Sequence, residues 1–442
     1  MSVFSRVQKI AALIAVTLVV LVTLVIVGLR PSDPNSAEPT VADAVASPTA
    51  VPLLSKQRAT WASARDTFRG AAGTVAPVAC PFIDEREREP NNFLSLTPSL
   101  TFVCDTEGLL ATPIAPGRVV MRSTQAPLNS EQAALVANGN DGPWIRATAY
   151  GPFVAIDHGP LSGVSNVTTI YAGLSALNPN LGLGQFVDSS TPLGSVGGRI
   201  LNGELIAGVL SFELISDDTR FGADPLRADP PPASAGAEYA AMLGDALTLP
   251  STTCNVPWGV PDLNVGAPRE YRSGTHNGLD FNCGTTDHRI TAAADGEVLF
   301  VVSDYVNPTV DDRNAVLQNA EAASDTPFWT LAMLYGNFAV VAHDVGPRSD
   351  RVITIYAHLD EVDPNIVTGR IISQGELIGF SGNTGTSTAA GGINDKHSSV
   401  HLHWELHVND RAVGYLGNPV DNEILYREML CSPAVVGGPA TC

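Results

Sequence analysis

Two of the nine histidines, His401 and His403, stand one residue apart in HLHWEL, a run that otherwise reads as a strand. A pleated strand sends alternate side chains to the same face, so both imidazoles project toward one small site. Side-by-side imidazoles suit a metal, and they suit the wet face of a half-buried strand equally well. HNGLD at 276–280 offers partners: His276 and Asp280 share a face of an extended segment, and Gly278 argues against a helix there. Two imidazoles and one carboxylate form a three-ligand set that suits zinc and leaves a tetrahedral position open for water, the mark of a catalytic rather than a structural site. The other imidazole of the pair and His358, in ITIYAHL, would then stand beside the metal. From there they could orient the water, take its proton and stabilise the oxyanion formed on a peptide carbonyl.

The segments that must position these side chains read as strands. FAVVAHD, RVITIYAH, LIGFSG and VHLHWELHV carry β-branched and aromatic residues in period-two alternation, bounded by Gly, Asn and Pro. Helical patterns are few: TWASARDTFRGAAG near residue 60, EQAALVAN at 131 and DDRNAVLQNAEAA at 311. The chain also repeats itself. YGPFVAIDHG at 150 and TTIYAGL at 168 recur as YGNFAVVAHD at 335 and ITIYAHL at 353, both shifted by 185 positions. That register also matches Trp144 with Trp329 and Gly194 with Gly379, while upstream Cys104 aligns with Cys283. The expected fold class is therefore mainly β: two tandem antiparallel-β domains, one a copy of the other.

The first copy lacks the chemistry. Opposite His276 and Asp280 stand Thr97 and Thr101; opposite His358 stands Gly173; opposite His401 and His403 stand Val209 and Ser211. Five scattered positions filled together in one copy and vacant together in the other fit a single site kept or lost as a unit. Glu405 and His343 have counterparts in Glu213 and His158, so their roles are expected to need no metal. The six cysteines include no CxxC pair and read as disulfides; the repeat suggests Cys80 with Cys104, Cys254 with Cys283, and Cys431 with Cys442.

HxxxD, then YxHL, then GxxGNTG, then HLHWEL resembles the M23 (lysostaphin-like or LytM-like) family of zinc metallopeptidases over residues 270–422. The resemblance implies zinc ligands at His276, Asp280 and His403, catalytic histidines at His358 and His401, and a largely antiparallel β domain with its site in a groove. It also implies an endopeptidase acting on the stem peptides or cross-bridges of bacterial peptidoglycan. The segments 303–333 and 385–400 exceed what a minimal family domain needs, so taller groove walls are expected, and such loops set specificity. Two other readings remain open: a non-catalytic adaptor that activates a separate wall hydrolase, and a protease for other proteins.

The bulk properties set the compartment. The net charge of -20 argues against nucleic-acid binding. Residues 10–29 are uncharged and long enough to cross a membrane, with Arg6 and Lys9 before them, which favours an anchor with the body outside the cytoplasm, periplasmic or extracellular. A cleaved signal peptide is the alternative, although its apolar core is normally only about 7–15 residues. The expected layout is a cytoplasmic 1–9, a transmembrane anchor 10–29, a Pro/Ser/Ala-rich linker 30–50, a degenerate domain 51–226, a linker 227–245 and a catalytic domain 246–442. The degenerate domain is the place to look for an envelope protein partner.

Overall fold

The computed structural model describes residues 78–79, 82–83, 100–104, 106–125, 143–161, 166–201, 204–216, 247–324, 326–343, 352–408, 411–415 and 417–431. The expected anchor, both linkers and the helices expected near 60 and 131 lie outside the described residues. Among the described residues, no helix is long and apolar enough to cross a membrane.

The architecture is mainly β. The first half contains β1 (Phe82–Ile83), β2 (Leu100–Cys104), β3 (Leu110–Ala111), β4 (Gly117–Ser123), α1 (Pro143–Tyr150) and β5 (Phe153–Asp157). It continues through β6 (Val167–Ala172), β7 (Leu174–Leu177), β8 (Phe186–Val187), β9 (Gly194–Leu201) and β10 (Glu204–Ser216). The second half contains β11 (Leu279–Asn282), β12 (Arg289–Thr291), β13 (Gly296–Val302), α2 (Val310–Ala323), α3 (Phe328–Leu334), β14 (Asn337–His343) and β15 (Val352–Leu359). It ends with β16 (Glu361–Val362), β17 (Ile371–Ile372), β18 (Leu377–Phe380), α4 (Ser387–Ala390), β19 (His401–Val408), β20 (Arg411–Ala412) and α5 (Pro419–Leu430).

The large sheet of the first half runs β1-β2-β10-β6-β5-β4-β8, and that of the second runs β11-β19-β15-β14-β13-β17. Apart from β1, the two orders correspond strand for strand along the register of the sequence repeat. The correspondence reaches single residue pairs: Thr101 sits opposite Ser211 as Asp280 sits opposite His403. Each sheet also carries an irregularity at matching positions, between Val119 and Met121 and between Val298 and Phe300. A bulge of this kind bends a strand locally and raises its twist.

Both faces of the second sheet are buried, which explains why its strands are nearly continuous in apolar residues. Alternate residues divide between two cores. Ile353, Ile355, Phe338 and Val340 face a core shared with the first half, whereas Val352, Tyr356, Ala339 and Val341 face the second half's own core with Trp404 and Leu425. The two halves meet reciprocally, α1 against β13 and α3 against β4. At the centre Trp144 and Trp329 meet edge to face with centroids 6.1 Å apart, flanked by Phe153 and Phe338. Each fully buried aromatic side chain contributes about 1.5–3 kcal/mol relative to exposure.

Helix α2 coincides with the pattern at 311. Thr309 caps it, its hydroxyl accepting from the Asp312 N–H at 3.1 Å. Helices α1, α3 and α5 were not anticipated. α1 is only eight residues long, and α3 is short and apolar on nearly every side, so its sequence lacks the one-sided period that marks an amphipathic helix. For α5 the signal was present, with Asn418 as cap and Pro419 in the first turn. The Cys254–Cys283 disulfide is formed as expected. Cys104 and Cys431 are also disulfide-bonded, and Cys80 and Cys442, the residues the repeat pairs with them, lie outside the described residues.

Candidate metal centre and cleft

Strands β11 and β19 pair directly and place Asp280 opposite His403. His276 precedes β11, and its backbone is pinned to the segment around Ala267 and Gly266 by two hydrogen bonds of 2.8 Å. Gly278 lies so close to β19 that a Cβ there would stand 2.5 Å from the Trp404 carbonyl and 3.0 Å from the His403 ring. A side chain at this position would push His276 and Asp280 away from β19. That is the physical need for glycine between them.

Three donor atoms converge here. The Asp280 Oδ1 is 3.0 Å from His276 Nε2 and 2.9 Å from His403 Nδ1, and those two nitrogens are 2.9 Å apart. Zinc bonds of about 2.0–2.1 Å in a tetrahedral array set ligand atoms about 3.3 Å apart, so the triangle fits zinc after an expansion of a few tenths of an ångström. Around it stands the supporting shell such ligands need. The Nδ1–H of His276 donates to the Asn264 carbonyl at 3.1 Å, and His403 Nε2 donates to Glu405 Oε1 at 2.7 Å. Each imidazole thereby turns its other nitrogen toward Asp280.

Glu405 is fully buried and also takes bonds from Tyr335 Oη at 2.8 Å and His407 Nε2 at 2.6 Å. It positions His403 without reaching the donor triangle. Its counterpart Glu213 accepts from Tyr150 Oη at 2.7 Å, so the tyrosine contact exists in both halves and the imidazole contacts in one. His407, four residues beyond His403 on β19, is bound to Glu405 rather than to the donor triangle.

Charge distribution fits a cation site. Burial lowers His276 to about 4 and keeps it neutral. Burial also opposes charge on Asp280 and Glu405, but the surrounding imidazoles outweigh it and hold both carboxyls well below their ordinary range. For His403 burial is again opposed, here by hydrogen bonds to Asp280 and Glu405, which raise the ring to about 9. In the absence of a metal, His403 is thus the group that supplies positive charge between two carboxylates.

His358 and His401 stand beside this triangle with ring centroids 4.6 Å apart. The Nδ1–H of His358 donates to the Thr384 carbonyl at 2.7 Å, and that of His401 to the Ser399 carbonyl at 2.8 Å. Both rings line the cleft, and the Nε2 of His401 lies 3.8 Å from Asp280 Oδ1, at the edge of the donor triangle. Burial, then the neighbouring imidazoles, hold His358 well below the usual histidine value, which makes it a neutral proton acceptor near pH 7. Its backbone is unusual. His358 has φ 61°, a left-handed conformation, and the matching Gly173 has φ 81°. A non-glycine residue in that region costs about 1–3 kcal/mol, and such strain gathers at functional sites. Both residues receive the same anchoring, the N–H of His358 to the Tyr335 carbonyl at 2.7 Å and that of Gly173 to the Tyr150 carbonyl at 3.0 Å.

The cleft encloses about 520 Å³. Its walls include residues from both extended segments, Arg313, Asn314 and Leu331 from one, Gly385 to Thr388 and Ser399 from the other. The sequence reading did not single out the arginines of the cleft, Arg269, Arg272 and Arg313. Two of these lie within seven residues of His276, in PREYRSGTHNGLD, and that cluster of basic residues in an acidic chain was the available signal. Elsewhere, His343 and His158 each donate Nδ1–H to a backbone carbonyl, of Asp295 at 3.0 Å and of Pro116 at 2.8 Å, and each meets a threonine hydroxyl through Nε2. Their role is structural.

Residues 274–415 match the profile of Peptidase family M23. The matched segment holds all three donor residues and both cleft histidines. Among solved structures, the catalytic domain of lysostaphin from Staphylococcus simulans is 19% identical, with 34% of this chain and 82% of that one covered and a TM-score of 0.21. A putative peptidase M23 from Pseudomonas aeruginosa is 17% identical over 51% of this chain and 84% of that one, with a TM-score of 0.20. A zinc-containing peptidase from Vibrio cholerae is 14% identical over 72% of this chain and 77% of that one, with a TM-score of 0.24. No curated protein matches the chain.

Proposed function

We propose that the chain is a zinc-dependent endopeptidase of the bacterial cell envelope, anchored through residues 10–29, that hydrolyses peptide bonds in peptidoglycan stem peptides or cross-bridges. The observation that carries this reading is the convergence of His276 Nε2, Asp280 Oδ1 and His403 Nδ1 beside two imidazoles, His358 and His401, that line one cleft and are fixed through Nδ1. A divalent ion held by the three ligands supplies Lewis acidity toward the scissile carbonyl and the attacking water. His358, neutral and fixed by Thr384, accepts the proton of that water through Nε2. His401, when protonated, donates through Nε2 to the oxyanion and then to the leaving amine. No covalent bond to the protein is required.

The first half is read as a degenerate copy of the same domain that binds no metal. The shared strand order and the Thr101–Ser211 pairing in place of Asp280–His403 support this. Its role is to support the catalytic half. Removing it would bare the aromatic face around Trp329 and Phe338, so a fragment of residues 246–442 with full stability and activity would refute that role.

Intact sacculi incubated with zinc-loaded protein are expected to release peptides whose masses identify the bond cut, and His403→Ala is expected to release none. Sacculi and soluble stem peptides left intact by fully zinc-loaded protein would overturn the proposal. An adaptor needs no complete ligand set, and this chain has one.

A further inference from the structure

The cleft has the opposite charge character from the chain around it. The protein carries a net charge of -20, yet three arginines line the cleft against only Asp280 and Glu405, so it is positive before any metal binds. The three guanidinium groups are not equally engaged. Arg269 lies 3.4 Å from Asp280 Oδ2. Arg272 donates to the Ser273 and Thr275 carbonyls at 3.2 and 2.8 Å. Arg313 makes no side-chain hydrogen bond or ion pair with the described residues, although it is only 8% exposed and its Nε is buried without an acceptor. Its Cζ stands 5.7 Å from the Tyr271 ring centroid. Asp312, the acid beside it in the chain, is occupied with Arg118 at 3.2 Å and the Thr309 hydroxyl at 2.8 Å.

A buried cation without a counter-ion is destabilising, and a cation–π contact of about 0.5–2 kcal/mol offsets only part of that. A guanidinium is planar and pairs bidentately with a carboxylate, which a lysine cannot do. We infer that Arg313 is a specificity-determining residue that receives a carboxylate of the peptide substrate, so that the enzyme prefers acidic peptides to their amidated counterparts. This rests on the peptidase reading above. It also gives the first half a part in specificity, because the helix carrying Arg313 is held on its far side by Asp312 to Arg118 and by Asn319 to Asp157 at 3.4 Å.

The test uses the full chain and two synthetic stem-type peptides identical except that one has free carboxylates and the other has them amidated. Zinc-loaded wild-type protein is expected to cut the acidic peptide about 10- to 100-fold more efficiently, as loss of a charged hydrogen-bonded pair implies. Arg313→Met, which keeps the packing over Tyr271, is expected to abolish that preference by raising KM for the acidic peptide far more than for the amidated one. Arg313→Lys restores part of it. Equal losses on both peptides, or no loss on either, would overturn the inference. The affinities of the zinc-free full chain for the two peptides, measured by calorimetry, provide a readout that needs no turnover. If neither peptide is cut but wild-type binding favours the acid and Arg313→Met does not, the peptidase reading fails and the carboxylate site stands. Cleavage without preference has the reverse meaning.

Discussion

Replacing Glu405 with glutamine separates positioning from ligation at the metal centre. Glu405 does not point at the donor triangle; it holds His403 by the far nitrogen at 2.7 Å and is itself held by His407 and Tyr335. Glutamine keeps the shape but removes the charge and turns one of two acceptors into a donor facing donors. A hydrogen bond to a charged group contributes about 1.5–3 kcal/mol, and loss of an outer partner of a metal-ligating histidine weakens metal affinity by about 10- to 100-fold. Zinc affinity of Glu405→Gln should therefore fall by about that factor in a competition titration against a chromophoric chelator. The internal control is Glu213→Gln, which removes the charge of the matching buried carboxylate while its amide oxygen can still accept from Tyr150 Oη. Zinc affinity there should stay at the wild-type value. Wild-type affinity in Glu405→Gln, or an equal loss in Glu213→Gln, would refute the argument that His403 is oriented from behind.

Three further outcomes are expected. His358→Ala should lower turnover by about 10²- to 10⁴-fold with zinc content unchanged, and His358→Gly, equally inactive, should be about 1 kcal/mol more stable to denaturant because alanine retains the left-handed strain at φ 61°. Asp157 is fully buried and burial pushes its carboxyl up to about 6 despite the Gly159 N–H and Asn319. Its folded value exceeds its unfolded one, so its stabilising contribution is complete below about pH 4 and disappears as pH rises through about 6. Relative to wild type, Asp157→Asn should therefore gain about 2–2.5 kcal/mol between pH 4 and pH 7, read from chemical denaturation at each pH; a flat difference would contradict the burial argument. Removing the Cys254–Cys283 link, which spans 29 residues and ends beside β11, by a double serine substitution should lower stability by about 3–4 kcal/mol in the same assay.

Much of the site was legible because strand geometry is simple. Parity put His401 and His403 on one face, and put His276 and Asp280 on one face of a segment that Gly278 kept from being read as a helix; the close approach of Gly278 to β19 came only with the structure. The comparison of Val209 and Ser211 with His401 and His403 separated ligands from residues such as Glu405 that both halves retain. What could not be read is of another kind. Arg313 sits on α2, whose matching stretch in the first half lies outside the described residues, and nothing in local sequence says that its guanidinium lies in the same cleft as His358. The shared core was also hidden, because a strand buried on both faces has the same composition whether its second face meets its own domain or a neighbour. The reciprocal docking of α1 and α3 is a long-range fact, fixed by Trp144 and Trp329 meeting across the pseudo-symmetric interface.

The most direct test is elemental analysis of the purified full chain after equilibration with limiting free zinc. The account predicts one zinc per chain, lost in His276→Ala and in His403→Ala and retained in Ser211→Ala of the first half. Peptidase activity in a protein that holds no zinc, or full zinc content after either histidine is removed, would contradict it.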